Sequence, residues 1–164
     1  KMIESNGDSK DDTILIRKME LSDANGCFLL IKELAEFEKA PKEVQLSVEQ
    51  FTKDFNEGKF DAFVAVNNTS VLGMALYYPI YSTWKGNSMH LEDLVVKETE
   101  RRKGLGKQLF EAIVTEAKRQ NAGRLQWQVL DWNLPAINFY KNYPALFDGE
   151  WFNVKISNND LQEF

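Results

Sequence analysis

Between Asp61 and Val96 the chain holds the hydrophobic period of a strand through three runs, and this stretch limits its fold more than any other. The runs are DAFVAV (Asp61–Val66), VLGMALYY (Val71–Tyr78) and MHLEDLVV (Met89–Val96). Each is short, apolar and rich in β-branched or aromatic residues, as buried strands are. NNTS separates the first two with turn-forming residues, so they read as a β-hairpin. YSTWKG, between the second and third, reads as a loop.

The flanks change period. TILIRKM (Thr13–Met19) reads as an opening strand, with Ser22 as a helix cap after it. From Cys27 the apolar positions Leu30, Ile31, Leu34 and Phe37 recur at helical spacing, and Pro41 stops that helix. A second helix starts at Ser47, with Gln50 three residues on as a capping box, and shows Val48, Phe51 and Phe55 on one face before Gly58. After the third strand, Leu105, Leu109, Ala112, Ile113, Glu116 and Ala117 fall on one helical stripe, apolar except for Glu116. Arg124–Leu130 predicts a strand, Asn133 caps a short helix through Asn142 with Pro135 near its start, and Phe152–Ile156 predicts a last strand. The order β-α-α-β-β-β-α-β-α-β, hairpins followed by a βαβ unit, implies a mixed α/β fold with helices covering the sheet.

At 164 residues, 43% of them hydrophobic, the chain has the size and core of one domain, read as residues 13–164 behind a polar, disordered leader at 1–12. A net charge of −5 argues against a nucleic-acid partner and is compatible with a cationic substrate. One cysteine and one histidine exclude a zinc set, so no metal is expected; Cys27, inside an apolar helix, reads as a buried small hydrophobe. No apolar run reaches membrane-span length and no secretory pattern opens the chain, which points to the cytoplasm.

The segment ETERRKGLGKQLFEA (Glu98–Ala112) places three cations and two glycines where a helix begins. The first N–H groups of a helix lack internal partners and carry the positive end of its dipole, so an anion can dock there. Glycines let a phosphate approach the backbone. The spacing fits neither a Walker loop nor a GxGxxG fingerprint. Local residues alone leave two readings open: a solvated helix start, or a cradle for a pyrophosphate.

R-x-x-G-x-G between a strand and an amphipathic helix resembles the acetyl-CoA pyrophosphate motif of the GNAT N-acetyltransferases. DWNLPAINFYKN (Asp131–Asn142) resembles the later motif of the same family. With IKELAEFEKAP, the YxxWKG loop and HLEDLVV, the likeness runs from Ile31 to about Trp151 and is nearest the spermidine/spermine acetyltransferase branch, including its thialysine acetyltransferases. The resemblance implies the GNAT fold: a mixed, mostly antiparallel, twisted sheet with helices on both faces and a splayed strand pair that holds CoA. It implies acetyl-CoA as co-substrate and acetyl transfer to a primary amine.

Residue by residue, the resemblance places the pantetheine arm along Leu94, Val95 and Val96. It places the pyrophosphate at Arg101, Arg102, Lys103, Gly104, Leu105, Gly106 and Lys107, and further cofactor contacts at Asn133 and Ala136. Glu92 matches the residue that draws a proton from the amine through water. Tyr140 matches the general acid for the departing thiolate, a role suited to a phenol that is protonated at neutral pH. Glu92 and Asp93 are adjacent in a strand, so alternation points them to opposite faces.

For the amine pocket the resemblance implies Phe37, Glu38, Ser82, Trp84, Glu92, Asp93, Gln128 and Leu130. Carboxylates and aromatic faces both suit an ammonium group. Polyamine enzymes of the branch carry an acid where this chain has Ser82; with Leu130, that favours a thialysine-like amino acid or small diamine over a long polycation. Pro144 stands where the family usually has glycine, and Arg102 where it often has a small residue. A homodimer is expected by the same likeness. Two alternatives take other partners: a peptide or protein amine as acceptor, or a CoA-binding module without catalysis, which would not require Glu92 and Tyr140 together.

Overall fold

A computed structural model describes residues 13–68 and 70–163. The leader assigned to residues 1–12, and Thr69 of the NNTS turn, lie outside the described residues. The chain divides into two compact units, Lys1–Gln128 and Val129–Phe164.

The first unit is built on one five-stranded sheet in the order β1-β2-β3-β4-β5. The strands are β1 (Leu15–Lys18), β2 (Asp61–Val66), β3 (Val71–Ser82), β4 (Gly86–Val96) and β5 (Leu125–Gln126). The first four pair antiparallel, and β5 joins β4 in parallel. Helix α1 (Ala24–Phe37) and helix α2 (Val48–Asn56) cover one face, and α3 (Leu105–Arg119) the other. The mixed, mostly antiparallel sheet expected from the sequence is therefore present.

Burial explains the packing. Alternate residues of the central strands (Ala62, Val64 and Val66; Met74 and Leu76) meet Cys27, Phe28 and Leu30 of α1 and Phe51 of α2. Phe28, Phe51 and Phe60 extend this core as a run of ring contacts at 5.8 and 4.9 Å. On the other face Leu105, Leu109, Phe110, Ile113 and Ala117 of α3 are buried. Gly73 is tight there: an added Cβ would stand 2.9 Å from Leu109 Cδ1. Glu116, the polar member of the α3 stripe, is only 6% exposed. Its carboxylate takes hydrogen bonds from Arg119 and Gln120 with Lys18 3.5 Å away, and Arg119 above all pulls its pKa down to about 2.

Several sequence expectations need correction. Helix α1 opens at Ala24, not at a Ser22 cap. The Ser47 cap of α2 stands, accepting from Gln50 N–H at 3.1 Å, but the Gln50 side chain bonds Asp54 one turn on instead of closing a capping box. YSTWKG is mostly strand: β3 runs to Ser82 and β4 starts at Gly86, leaving three turn residues, because the ladder pairs as far as Ser82 with Gly86. Conversely β5 shrinks to two residues. Gly123 permits that short pairing, since a Cβ there would lie 2.0 Å from the Lys85 carbonyl oxygen.

In the second unit, α4 spans Leu134–Tyr140 and a short α5 spans Asn158–Leu161. Helix α4 ends two residues before Asn142. The strand expected over Phe152–Ile156 does not form among the described residues. Phe152, Val154 and Ile156 have the alternation of a strand but are exposed, and no described segment supplies the ladder that a strand requires.

Candidate active site

β4 positions most of the first unit's candidate residues, and a β-bulge shapes it. Leu91 pairs with Tyr77 and Asp93 with Leu76, consecutive residues on β3, so Glu92 is the inserted residue. The bulge interrupts the alternation that was to separate Glu92 from Asp93. Both carboxylates now belong to one electrostatic cluster. Asp93 is partly buried and its pKa is pushed up to about 7, first by burial, then by the charge of Glu92 and that of Glu38. Burial also raises Glu38.

Glu38 arrives there because α1 ends beside it. The chain turns at Lys39, in the left-handed region at φ 61°, and Ala40 N–H donates back to Ala35 O at 2.9 Å. Phe37, 40% exposed, has the Arg101 guanidinium 5.5 Å from its ring centroid. No lysine or arginine among the described residues forms an ion pair with Glu38 or Asp93. Glu92 instead accepts from the Tyr78 hydroxyl at 2.7 Å, and His90 Nε2 stands 3.3 Å from the same oxygen.

A stability consequence follows for Asp93. An aspartate in an unfolded chain titrates near ~4. Between that value and about 7 the folded protein holds a proton that the unfolded chain has released. Stability contributed by this group therefore falls as pH rises through that window and is level above it. Asp93→Asn is expected to flatten the fall and to exceed wild type at pH 8 by roughly 2–4 kcal/mol, read from denaturant midpoints at pH 5 and 8.

Beyond His90, β4 has a free second edge. Its pairing with β5 is confined to Met89–Leu125 and His90–Gln126, and no described strand follows Leu91–Val96 on that side. Leu94, Val95 and Val96 lie on this stretch, Val95 buried with its side chain in the α1 core. The backbone edge is therefore open to an extended ligand.

The glycine segment forms a short 3₁₀ turn (Glu98–Glu100) and a loop into α3. Arg102 and Gly104 both have left-handed backbones, at φ 65° and 80°. Glycine is favoured at 104 for that reason. Gly106 has no such excuse: its φ is not positive and an added Cβ meets only Val96 Cγ2, at 3.8 Å. The two glycines leave bare backbone at the N-terminus of a fifteen-residue helix. The cations around it are not all turned to that task. Lys103 pairs with Glu100 at 2.8 Å, Lys107 with Glu111 at 3.8 Å, and Arg101 donates to Val96 O as well as packing on Phe37. Leu105 is buried and serves the core.

Ser82 and Trp84 are not brought to the carboxylates within the chain. Ser82 is 8% exposed, and its hydroxyl accepts the N–H groups of Trp84 and Lys85 in the hairpin turn. Trp84 is 84% exposed. Glu92 lies six residue steps beyond Gly86, roughly 20 Å along β4. Gln128 is exposed at the end of the first unit.

The second unit carries the remaining candidates. Asn133 Oδ1 accepts from Ala136 N–H at 3.3 Å, so Asn133 caps α4 and occupies the amide of Ala136. Tyr140, 7% exposed, ends the helix with its ring edge-on to Phe139 at 5.1 Å. Leu130 is 37% exposed.

A profile of the acetyltransferase (GNAT) family matches residues 24–143. The chain belongs to that family. This acetyltransferase is similar to the thialysine N-epsilon-acetyltransferase of Caenorhabditis elegans, 36% identical over 138 residues, covering 82% of this chain and 86% of that protein. It is 30% identical to the enzyme of the same name from Sus scrofa over 164 residues, covering 92% and 96% of the two chains. An L-ornithine N5-acetyltransferase of Arabidopsis thaliana is 36% identical over 98 residues, 59% of this chain and 43% of the plant protein. Among solved structures, an aminoglycoside acetyltransferase from an uncultured soil metagenomic sample, in complex with sisomicin, superposes with a TM-score of 0.74 at 19% identity, covering 90% of this chain and 99% of that one. That likeness supports the GNAT fold.

The acetyltransferase has no helix among its described residues long and apolar enough to cross a membrane. His90, which sequence reasoning did not single out, is brought beside Glu92 and Tyr78. It lies two positions before Glu92 on β4, and that spacing along a strand was the available signal for a shared neighbourhood.

Proposed function

We propose that this acetyltransferase moves an acetyl group from acetyl-CoA to the primary amine of a small cationic metabolite, of the thialysine or diamine type. The observation that carries the choice of acceptor is the group of Glu38, Glu92 and Asp93. Burial and mutual repulsion raise Asp93 to about 7, and among the described residues no lysine or arginine pairs with Glu38, Glu92 or Asp93. A buried acidic group of this kind is costly alone and favourable once an ammonium enters. The names of the relatives from Caenorhabditis elegans and Sus scrofa support the same acceptor class.

The residues present fit acetyl-CoA on two counts: the open backbone edge of Leu91–Val96, and the bare backbone at Gly104 and Gly106 before α3. When bound, acetyl-CoA supplies the activated acetyl group as a thioester. The protein's residues do the rest. Leu94, Val95 and Val96 offer backbone partners to an extended arm, and Arg102 with the first turn of α3 offers positive potential to phosphates. Phe37, Glu38 and Asp93 hold the acceptor as its ammonium ion. Glu92 takes the amine proton through water, which frees the nitrogen lone pair for attack at the carbonyl carbon. Tyr140 gives its phenolic proton to the sulfur as the C–S bond breaks, the second proton leaves the nitrogen and restores the phenol, and the neutral amide and the thiol leave.

In this reading both units form one catalytic domain, in line with a family match that spans residues 24–143. The enzyme acts as a homodimer. The strand distance from Trp84 to Glu92 supports that, because an aromatic at the hairpin tip can line an amine pocket only when it belongs to a second copy. The test is thiol release from acetyl-CoA with thialysine, 1,3-diaminopropane, spermidine and a lysine-containing peptide. Turnover of thialysine and the diamine at least tenfold above the peptide in kcat/KM is expected. Activity on the peptide alone would replace this reading with protein acetylation.

A further inference from the structure

The chain's only histidine stands in the rung that carries Glu92. Tyr78 on β3 pairs with His90 on β4, and His90 pairs with Gln126 on β5. The rings of Tyr78 and His90 lie 5.2 Å apart, and the His90 side chain is 13% exposed. Gln126 Nε2 is 3.4 Å from His90 Nδ1. An amide nitrogen only donates, so Nδ1 must accept, and the ring proton sits on Nε2. Nε2 stands 3.3 Å from Glu92 Oε2, the same oxygen that accepts the Tyr78 hydroxyl at 2.7 Å.

The Tyr78 hydroxyl bonded to Oε2, with the imidazole edge 3.3 Å from the same oxygen, restricts the carboxylate and leaves Oε1 without a partner among the described residues. We propose that His90 is a positioning residue for acetyl transfer: together with Tyr78 it anchors Glu92 through Oε2, so that Oε1 is the oxygen that receives the proton of the amine. Gln126 acts one step further back by holding the ring in the Nε2–H form. Glu92 needs such support. It is the inserted residue of a bulge and its side chain is 49% exposed, so the strand ladder and core packing do not fix its rotamer. Burial and the hydrogen bond to Glu92 raise the Tyr78 phenol above its ordinary value, which keeps it a donor.

This inference rests on Glu92 as the base, and its test separates the two ideas. Thiol release with thialysine is measured for wild type, Glu92→Gln, His90→Phe, His90→Gln and the double variant Glu92→Gln/His90→Phe. His90→Phe is expected to lower kcat about tenfold, the size of one lost polar contact to the carboxylate, with both KM values within threefold. His90→Gln, whose amide can donate to Glu92 and accept from Gln126, is expected to keep kcat within threefold of wild type. In the Glu92→Gln background, His90→Phe is expected to cost nothing more. An equal loss in both backgrounds, or none in either, would overturn the positioning role while leaving Glu92 as base. Full activity of Glu92→Gln would instead remove the base assignment and the inference with it. Independently of turnover, nitrogen NMR of the single histidine is expected to report the Nε2–H form; a ring protonated at Nδ1 alone would overturn the geometry.

Discussion

Tyr140→Phe is expected to lower kcat by about 10²–10⁴-fold, the range over which general acid catalysis acts. The substitution removes one oxygen from a residue that is 7% exposed and whose ring packs edge-on to Phe139. The hydrophobic contacts stay, and α4 keeps its Asn133 cap, so the fold is expected to hold. The acetyl-CoA KM is expected to change less than threefold, because the proposed phosphate cradle and the β4 edge belong to other residues. A proton donor acts on the leaving sulfur and not on the bound ground state, so the loss should fall on kcat and kcat/KM together. Single-turnover mixing with acetyl-CoA and thialysine separates this from slow product release: the chemical step itself should slow. Normal turnover by Tyr140→Phe would leave the thiolate without its assigned acid.

How far the chain was legible depends on the range of the forces involved. Features fixed by near neighbours were readable. Ser47 caps α2 because its hydroxyl meets Gln50 N–H three residues on, and the buried stripe of α3 follows from spacing alone. The glycines before α3 were visible too, although the left-handed backbone at Gly104 was not read from them. Features set by distant partners were not. Nothing local announces the bulge at Glu92, which exists only as a mismatch of register between β3 and β4. YSTWKG looks like a loop because its turn residues are conspicuous, yet Tyr81 and Ser82 find ladder partners in Asn87 and Gly86. FNVKI has the alternation of a strand without any described neighbour to pair with.

The site shows the same division. The residues assigned to the amine pocket were reached through family likeness, whereas the charge state of Asp93 comes from three-dimensional proximity. Glu38 is more than fifty residues away in the chain, yet its charge contributes to the raised pKa of Asp93. Ser82 was to discriminate between acceptors, but its hydroxyl is committed to the Trp84 and Lys85 amides. The absence of an acid at 82 therefore bears on specificity more than the serine that stands there.

The central claim is that the carboxylates of Glu38 and Asp93 await the ammonium of the acceptor. The double variant Glu38→Gln/Asp93→Asn tests it most directly. Removing two charges that repel each other, both raised by burial, is expected to increase thermal stability at pH 8. The same change removes the attraction for the substrate, each close charge pair in such a site being worth on the order of 1.5–3 kcal/mol. At pH 8 the KM for thialysine is therefore expected to rise at least about tenfold while the acetyl-CoA KM stays within threefold. A more stable protein that binds its acceptor more weakly would fit an acidic pocket kept for a cation. An unchanged thialysine KM in the stabilised variant would contradict it.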